Sequence, residues 1–236
     1  MKNSANYLLA TIGLTAGAVL LLTSHAQAAE NLPVYRLYNP NSGEHFYTKD
    51  ANERISLARG GWNSEGIGWI SPDTSQLPVY RLYNPNAGDH HYTTSAGEKD
   101  FLLNVGWRNE GISWYSDDAQ TLPIYRAYNP HATTGTHNYT ENKVEQTHLI
   151  QLGWLDEHIG WYAQTPTDQQ QALKEIFAFE PASGRLAFTF YKMLGADYLF
   201  EAKDPAITEQ GGTGTVGFYR VTPTGTVMIT DANGNQ

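Results

Sequence analysis

A nine-residue phrase is written three times in this chain, as LPVYRLYNP at 32–40, LPVYRLYNP at 77–85 and LPIYRAYNP at 122–130, each 45 residues after the last. Copies at such a period are one supersecondary unit duplicated, and a unit this short cannot bury its apolar side alone; it has to pack against its sisters. Three copies therefore predict one β-rich module, repeats 32–76, 77–121 and 122–165, closed about a pseudo-threefold axis.

Within a copy, Val34 to Tyr38 is aromatic and branched and runs into Asn39-Pro40-Asn41-Ser42-Gly43, a strand entering a turn. His45-Phe46-Tyr47-Thr48 reads as the returning strand of a hairpin. A short helix follows. Asp50, Ser95 and Asn142 stand three residues before Glu53, Glu98 and Glu145, the spacing of a capping box, and Gly61, Gly106 and Gly153 stop the helices. A last strand carries Ile67 and Trp69, Ile112 and Trp114, or Ile159 and Trp161 on one face at a period of two. The expected fold is mainly β with short helices, strand-turn-strand-helix-strand in each repeat. A β-trefoil-like barrel leads, and another threefold arrangement of hairpins stays open because trefoil units need no helix.

Leu8 to Leu22 is an apolar run behind Lys2, and Ala26-Gln27-Ala28 places small residues where a signal peptidase reads. The run of about 15 residues is short for a spanning helix. Residues 1–28 are thus expected to be a signal peptide, with a secreted product starting at Ala29. There is no cysteine, so packing alone must hold it together. The formal charge of −9 becomes −10 without Lys2, and the basic residues are scattered. That speaks against nucleic acid and anionic membranes as partners.

Comparing the copies with each other separates scaffold from site. Tyr35, Arg36, Tyr38, Asn39, Pro40, His45, Tyr47, Thr48, Trp62, Glu65, Ile67 and Trp69 recur in all three, whereas Phe46 becomes His91 and then Asn138. Alternation along the strand turns the variable position outward and His45 and Tyr47 inward or into a shared groove. Trp69, Trp114 and Trp161 read as core. Trp62, Trp107 and Trp154 follow a helix stop, where a ring can stay half exposed for packing or for ligand contact. Arg36, Arg81 and Arg126 are expected to pair with Glu65, Glu110 and Glu157 as structural ion pairs. His45, His90 and His137 lack the compact spacing of a metal site, so hydrogen-bonded histidines are expected, with no metal and no cofactor. The third copy diverges: its turn is two residues longer, and His158 stands where the others have Gly66 and Gly111.

Beyond Thr165-Pro166-Thr167, residues 166–236 read as a small α+β domain. It would hold a helix capped by Asp168 and running from Gln169 to about Phe177, strands at 186–190 and 198–200, and a hairpin around Pro223-Thr224-Gly225. Gly212-Thr-Gly214-Thr-Val-Gly217 has dinucleotide-motif spacing, but no helix pattern follows to make a phosphate site. Asp231 to Asn235 reads as a frayed tail.

The string YRLYNPNSGEHFYT, followed by a short helix, Gly-Trp and EGIGW, resembles a repeat family of unknown function in secreted bacterial proteins, often attached to cell-wall-lytic enzymes. The resemblance covers Leu32 to Ala163 and implies an accessory module that binds glycan or cell wall. The expected function is therefore a secreted, non-catalytic binding protein for cell-wall or surface glycans, associated with the wall through them. A surface protein-interaction module is the alternative, and a hydrolase or metal-dependent enzyme the weaker reading. The candidate ligand-binding residues are Trp62, Trp107, His45, His90, Tyr47, Tyr92, Asn39 and Asn84.

Overall fold

The computed structural model describes residues 32–236; the expected signal peptide lies outside them. Each repeat forms its own three-stranded antiparallel sheet around its YRLYNP strand. Repeat 1 has β1 (Leu32–Tyr38), β2 (His45–Thr48), helix α1 (Ala51–Arg59) and β3 (Asn63–Ser71), in sheet order β2-β1-β3. Repeat 2 has β4 (Pro78–Asn84), β5 (Asp89–Thr93), α2 (Ala96–Asn104) and β6 (Arg108–Tyr115), ordered β5-β4-β6. Repeat 3 has β7 (Leu122–Tyr128), β8 (His137–Thr140), α3 (Lys143–Gln151) and β9 (Leu155–Ala163), ordered β8-β7-β9. The strand-turn-strand-helix-strand order read from the sequence is the observed one. Gly61, Gly106 and Gly153 after the three helices take φ of +99°, +98° and +95°, a region that glycine enters without steric cost.

A closed β-trefoil barrel does not form among the described residues. The sheets stay separate, and the backbone joins repeats at the isolated bridge of Ile70 with Gln164 and where the Asp117 N–H donates to the Tyr162 carbonyl. They meet mainly through side chains. Trp69, Trp114 and Trp161 lie with ring centroids 5.5 to 5.7 Å apart. Each stacks on the tyrosine of its own repeat, Trp69 on Tyr47 at 5.3 Å, Trp114 on Tyr92 at 5.0 Å and Trp161 on Tyr139 at 4.9 Å. Each such aromatic pair adds about 1 kcal/mol beyond its buried area. Val34, Val79 and Ile124 complete this core.

Two expectations about faces need correction. The first is the shared face of Ile67 and Trp69. Trp69 pairs with Val34 but Ile67 with Tyr35, so Gly68 is an extra residue, and the bulge sends the two side chains to opposite sides. The same shift recurs in the other copies at Ser113 and Gly160. The tryptophans are buried as expected, while Ile112 and Ile159 are 45% and 42% exposed. The second is the variable position. Phe46, His91 and Asn138 do point away from the tyrosine beside them, yet all three are buried. The helix side of the sheet and the next repeat cover that face: Phe46 meets Trp62 and His90, and His91 meets Trp107 and His137.

The C-terminal part begins with α4 (Asp168–Phe179), capped by Thr167 rather than Asp168 through a box with Gln170. A 3₁₀ turn (Pro181–Arg185) leads into a four-stranded antiparallel sheet, β10 (Ala187–Leu194), β11 (Asp197–Lys203), β12 (Thr215–Val221) and β13 (Val227–Thr230), with the short α5 (Pro205–Glu209) between β11 and β12. Strand β12, not a helix, begins within the glycine-rich 212–217 stretch. The tail is a hydrogen-bonded turn rather than frayed: Asp231 accepts the N–H groups of Asn233 and Asn235, and Arg220 donates to the Gly234 carbonyl. Ala172 and Ile176 of α4 pack on Phe200, Tyr219 and Val221. Its other side lies on repeat 1, where Phe177 covers Tyr35 at 5.6 Å and Leu173 packs beside it. Arg54, fully buried, has its guanidinium over both the Tyr35 and Phe177 rings and donates to the carbonyls of Ser183 and Leu186, each at 2.7 Å. Among the described residues, no helix is long and apolar enough to cross a membrane.

Candidate functional site: the cleft between repeats

The strand of each YRLYNP phrase aims its arginine at the boundary with the preceding copy. Within the repeat, Arg36 pairs with Glu65 at 2.6 Å, Arg81 with Glu110 at 2.7 Å and Arg126 with Glu157 at 2.7 Å, as the sequence suggests. Each also reaches the helix glutamate of another copy: Arg36 to Glu145, Arg81 to Glu53 and Arg126 to Glu98. These glutamates are therefore not the closed capping boxes expected. Asp50, Ser95 and Asn142 do cap their helices, but their own backbone N–H groups go to the hydroxyls of Thr48, Thr93 and Thr140. That frees each glutamate to bind a guanidinium across the junction. Burial would raise the carboxyls of Glu65 and Glu145, but hydrogen bonds from His45 and Arg36, and the Arg36 charge, hold both below the usual range.

Between repeats 1 and 2 these groups line an open cleft of about 180 Å³. Its walls are Thr48, Lys49, Asp50 and Glu53 from repeat 1, and Arg81, Glu110, Ile112 and Ser113 from repeat 2. Arg81 is clamped between two carboxylates and lies 5.2 Å over the Phe46 ring, so its fork cannot swing. The result is a fixed alternation of acceptors and donors beside one exposed aliphatic side chain. A larger cavity of about 520 Å³ lies in the C-terminal part, between Asp168, Gln171 and Glu175 of α4 and the Thr222–Gly225 turn. No residue there belongs to the repeats.

The predicted site residues divide. Trp62 and Trp107 are half-buried, as expected, and touch Phe46 and His91. His45 sits 3.4 Å from Glu65 and against Tyr38. His90 is 2.6 Å from Glu44 and 3.6 Å from Glu110, so it backs onto the cleft's wall. Four residues are corrected. Tyr47 and Tyr92 are 0% exposed, their rings in the tryptophan core, and no ligand reaches them there. Asn39 and Asn84 spend their side-chain oxygens on the N–H groups of the following turn, Asn41 and Ser42, and Asn86 and Ala87. The three recurring histidines do not converge; each faces the glutamate of its own copy. No group of three or more metal-ligating side chains occurs among the described residues.

Sequence reading missed the cross-repeat arginine–glutamate pairs and hence the cleft. The signal was present: Glu53, Glu98 and Glu145 recur as faithfully as the arginines, more strictly than a helix cap requires, since the cap itself varies as Asp50, Ser95 and Asn142.

No curated protein and no solved structure matches the chain. A sequence model of one family matches residues 33–164, which span all three repeats and more than half of the chain. The chain belongs to that family, described as a domain of unknown function, DUF5648.

Proposed function

We propose that this is a secreted, non-catalytic binding protein whose repeat module recognises cell-wall or surface glycans in the cleft between repeats. The observation that supports this most is the rigid Glu53–Arg81–Glu110 cluster beside Lys49, Ser113 and exposed Ile112. Polyols are held by closely spaced donors and acceptors with an apolar patch against the ring's C–H face. This cleft has that composition, and Trp62 packs on Phe46 behind Arg81. The reading takes the repeats as arranged about a pseudo-threefold axis, in keeping with the arginine pairs that run from each copy to another. The resemblance to modules found beside cell-wall-lytic enzymes favours wall polymers as the ligand. Lys49 and Arg81 face three carboxylates, Asp50, Glu53 and Glu110, a near balance of charge that suits holding a neutral sugar better than cleaving it.

Purified protein is mixed with insoluble cell walls and applied to a glycan array. Retention on walls, competed by soluble wall fragments, is the expected result. Absence of retention on both overturns the proposal.

A further inference from the structure

The outer faces of the three sheets are copies of one surface, and one of them is already occupied. On repeat 1 the occupant is α4: Phe177 lies on Tyr35, Leu173 lies over a groove lined by Leu32, Tyr35 and Ile67, and Arg54 bridges the two aromatic rings. Gly66 is part of the fit, since a Cβ there would stand 3.4 Å from the Cβ of Phe177. Ile67 is consequently only 8% exposed.

Repeat 2 carries the same surface without a cover. Leu77, Tyr80, Gly111 and Ile112 stand in the places of Leu32, Tyr35, Gly66 and Ile67. Lys99 takes the place of Arg54, with its ammonium 5.0 Å over the Tyr80 ring. Leu77 and Ile112 are 42% and 45% exposed, and nothing lies within 4 Å of where a Gly111 Cβ would be. Repeat 3 has lost the arrangement. His158, 86% exposed, fills the glycine position, and Gln146 replaces the cation and is spent on the Arg126 carbonyl and Asp156.

We infer that the outer face of repeat 2 is a docking site for an amphipathic helix of a partner protein. That helix would present an aliphatic side chain and, four residues later, an aromatic one, then a turn with free carbonyl oxygens. The chemistry is copied from α4 on repeat 1: the aromatic ring stacks on Tyr80 over Gly111, the aliphatic side chain fills the groove at Leu77 and Ile112, and Lys99 donates to the carbonyls. This mode of recognition reads an i, i+4 stripe in a preformed groove. The site adds a protein partner to the glycan reading, touches the cleft at Ile112, and does not rest on that reading.

The probe is a fluorescein-labelled synthetic peptide with the sequence of residues 167–187, titrated into the full chain by fluorescence polarisation. Saturable one-to-one binding is expected, weakened about tenfold by Leu77→Asp and by Lys99→Glu. Both residues lie outside the inter-repeat cleft, so retention on cell walls should be unchanged in these variants. Absence of saturable binding at millimolar peptide overturns the inference. So does binding that neither substitution weakens, which would mean that the peptide displaces α4 from repeat 1. Dimerisation of the full chain that Leu77→Asp abolishes would assign the face to a second copy and overturn it as well.

Discussion

The hydroxyl of Tyr92 donates to the backbone carbonyl of Tyr47 at 2.7 Å and accepts the backbone N–H of the same residue at 3.1 Å. Tyr139 does the same for Tyr92, and Tyr47 for Tyr139, so the bonds form a closed cycle. Strands β2, β5 and β8 are the outer strands of their sheets, and an unpaired strand edge invites foreign pairing. Here a phenol from another copy satisfies that edge. Tyr92→Phe keeps the ring but strands one buried N–H and one buried carbonyl, a loss of about 2–4 kcal/mol. Urea denaturation should show this as a lower midpoint with an unchanged slope.

Acid should loosen the contact between repeats 2 and 3. Buried His91 has its Nδ1 3.3 Å from that of His137 and 3.2 Å from the Tyr139 hydroxyl, and its Nε2 3.1 Å from Glu98, with Arg126 also near. Burial pushes its pKa down, and the Glu98 hydrogen bond only partly offsets this. The folded state therefore binds a proton less readily than the unfolded chain. Stability is complete above the unfolded histidine pKa of about 6.5 and falls as pH drops below it. His91→Phe, the residue of repeat 1 at this position, should flatten melting temperature against pH between about 7 and 5. An unchanged slope would refute the assignment.

Arg54 is the anchor of the C-terminal part. Burial lowers its pKa, and the two carbonyl acceptors and two aromatic faces offset only part of that desolvation. Arg54→Ala removes both charged hydrogen bonds, a cost of about 3 kcal/mol or more. Hydrogen exchange should accelerate first in α4 and in the 3₁₀ turn, and proteolysis should begin there.

Lys49 is exposed on the cleft wall and forms no ion pair among the described residues. Lys49→Glu should leave stability within about 0.5 kcal/mol, as surface substitutions do. Retention on cell walls should fall in the same variant. Equal retention would move the glycan site elsewhere.

Much of the fold was legible because its signals are local. Alternation, glycine stops and helix caps act within a few residues, and they placed all nine strands and three helices of the repeats. Two things were not legible. The bulges at Gly68, Ser113 and Gly160 insert one residue into a period of two, and nothing in the spacing of Ile67 and Trp69 announces the inversion. The junctions were hidden because duplication shows that Arg81 and Glu53 both recur, but not which copy each faces. Tyr47 and Tyr92 were misplaced for the same reason: a polar aromatic with its hydroxyl on a neighbouring copy's backbone looks, in sequence, like one reserved for a ligand.

The tyrosine cycle also fixes how many copies the chain can carry. An open solenoid tolerates a repeat more or fewer, since its ends are simply capped. In a ring, every unit is both giver and receiver. Deleting the middle copy would leave the Tyr47 backbone without its phenol and the Tyr139 phenol without its backbone, so the gene can drift within its copies far more easily than it can gain or lose one.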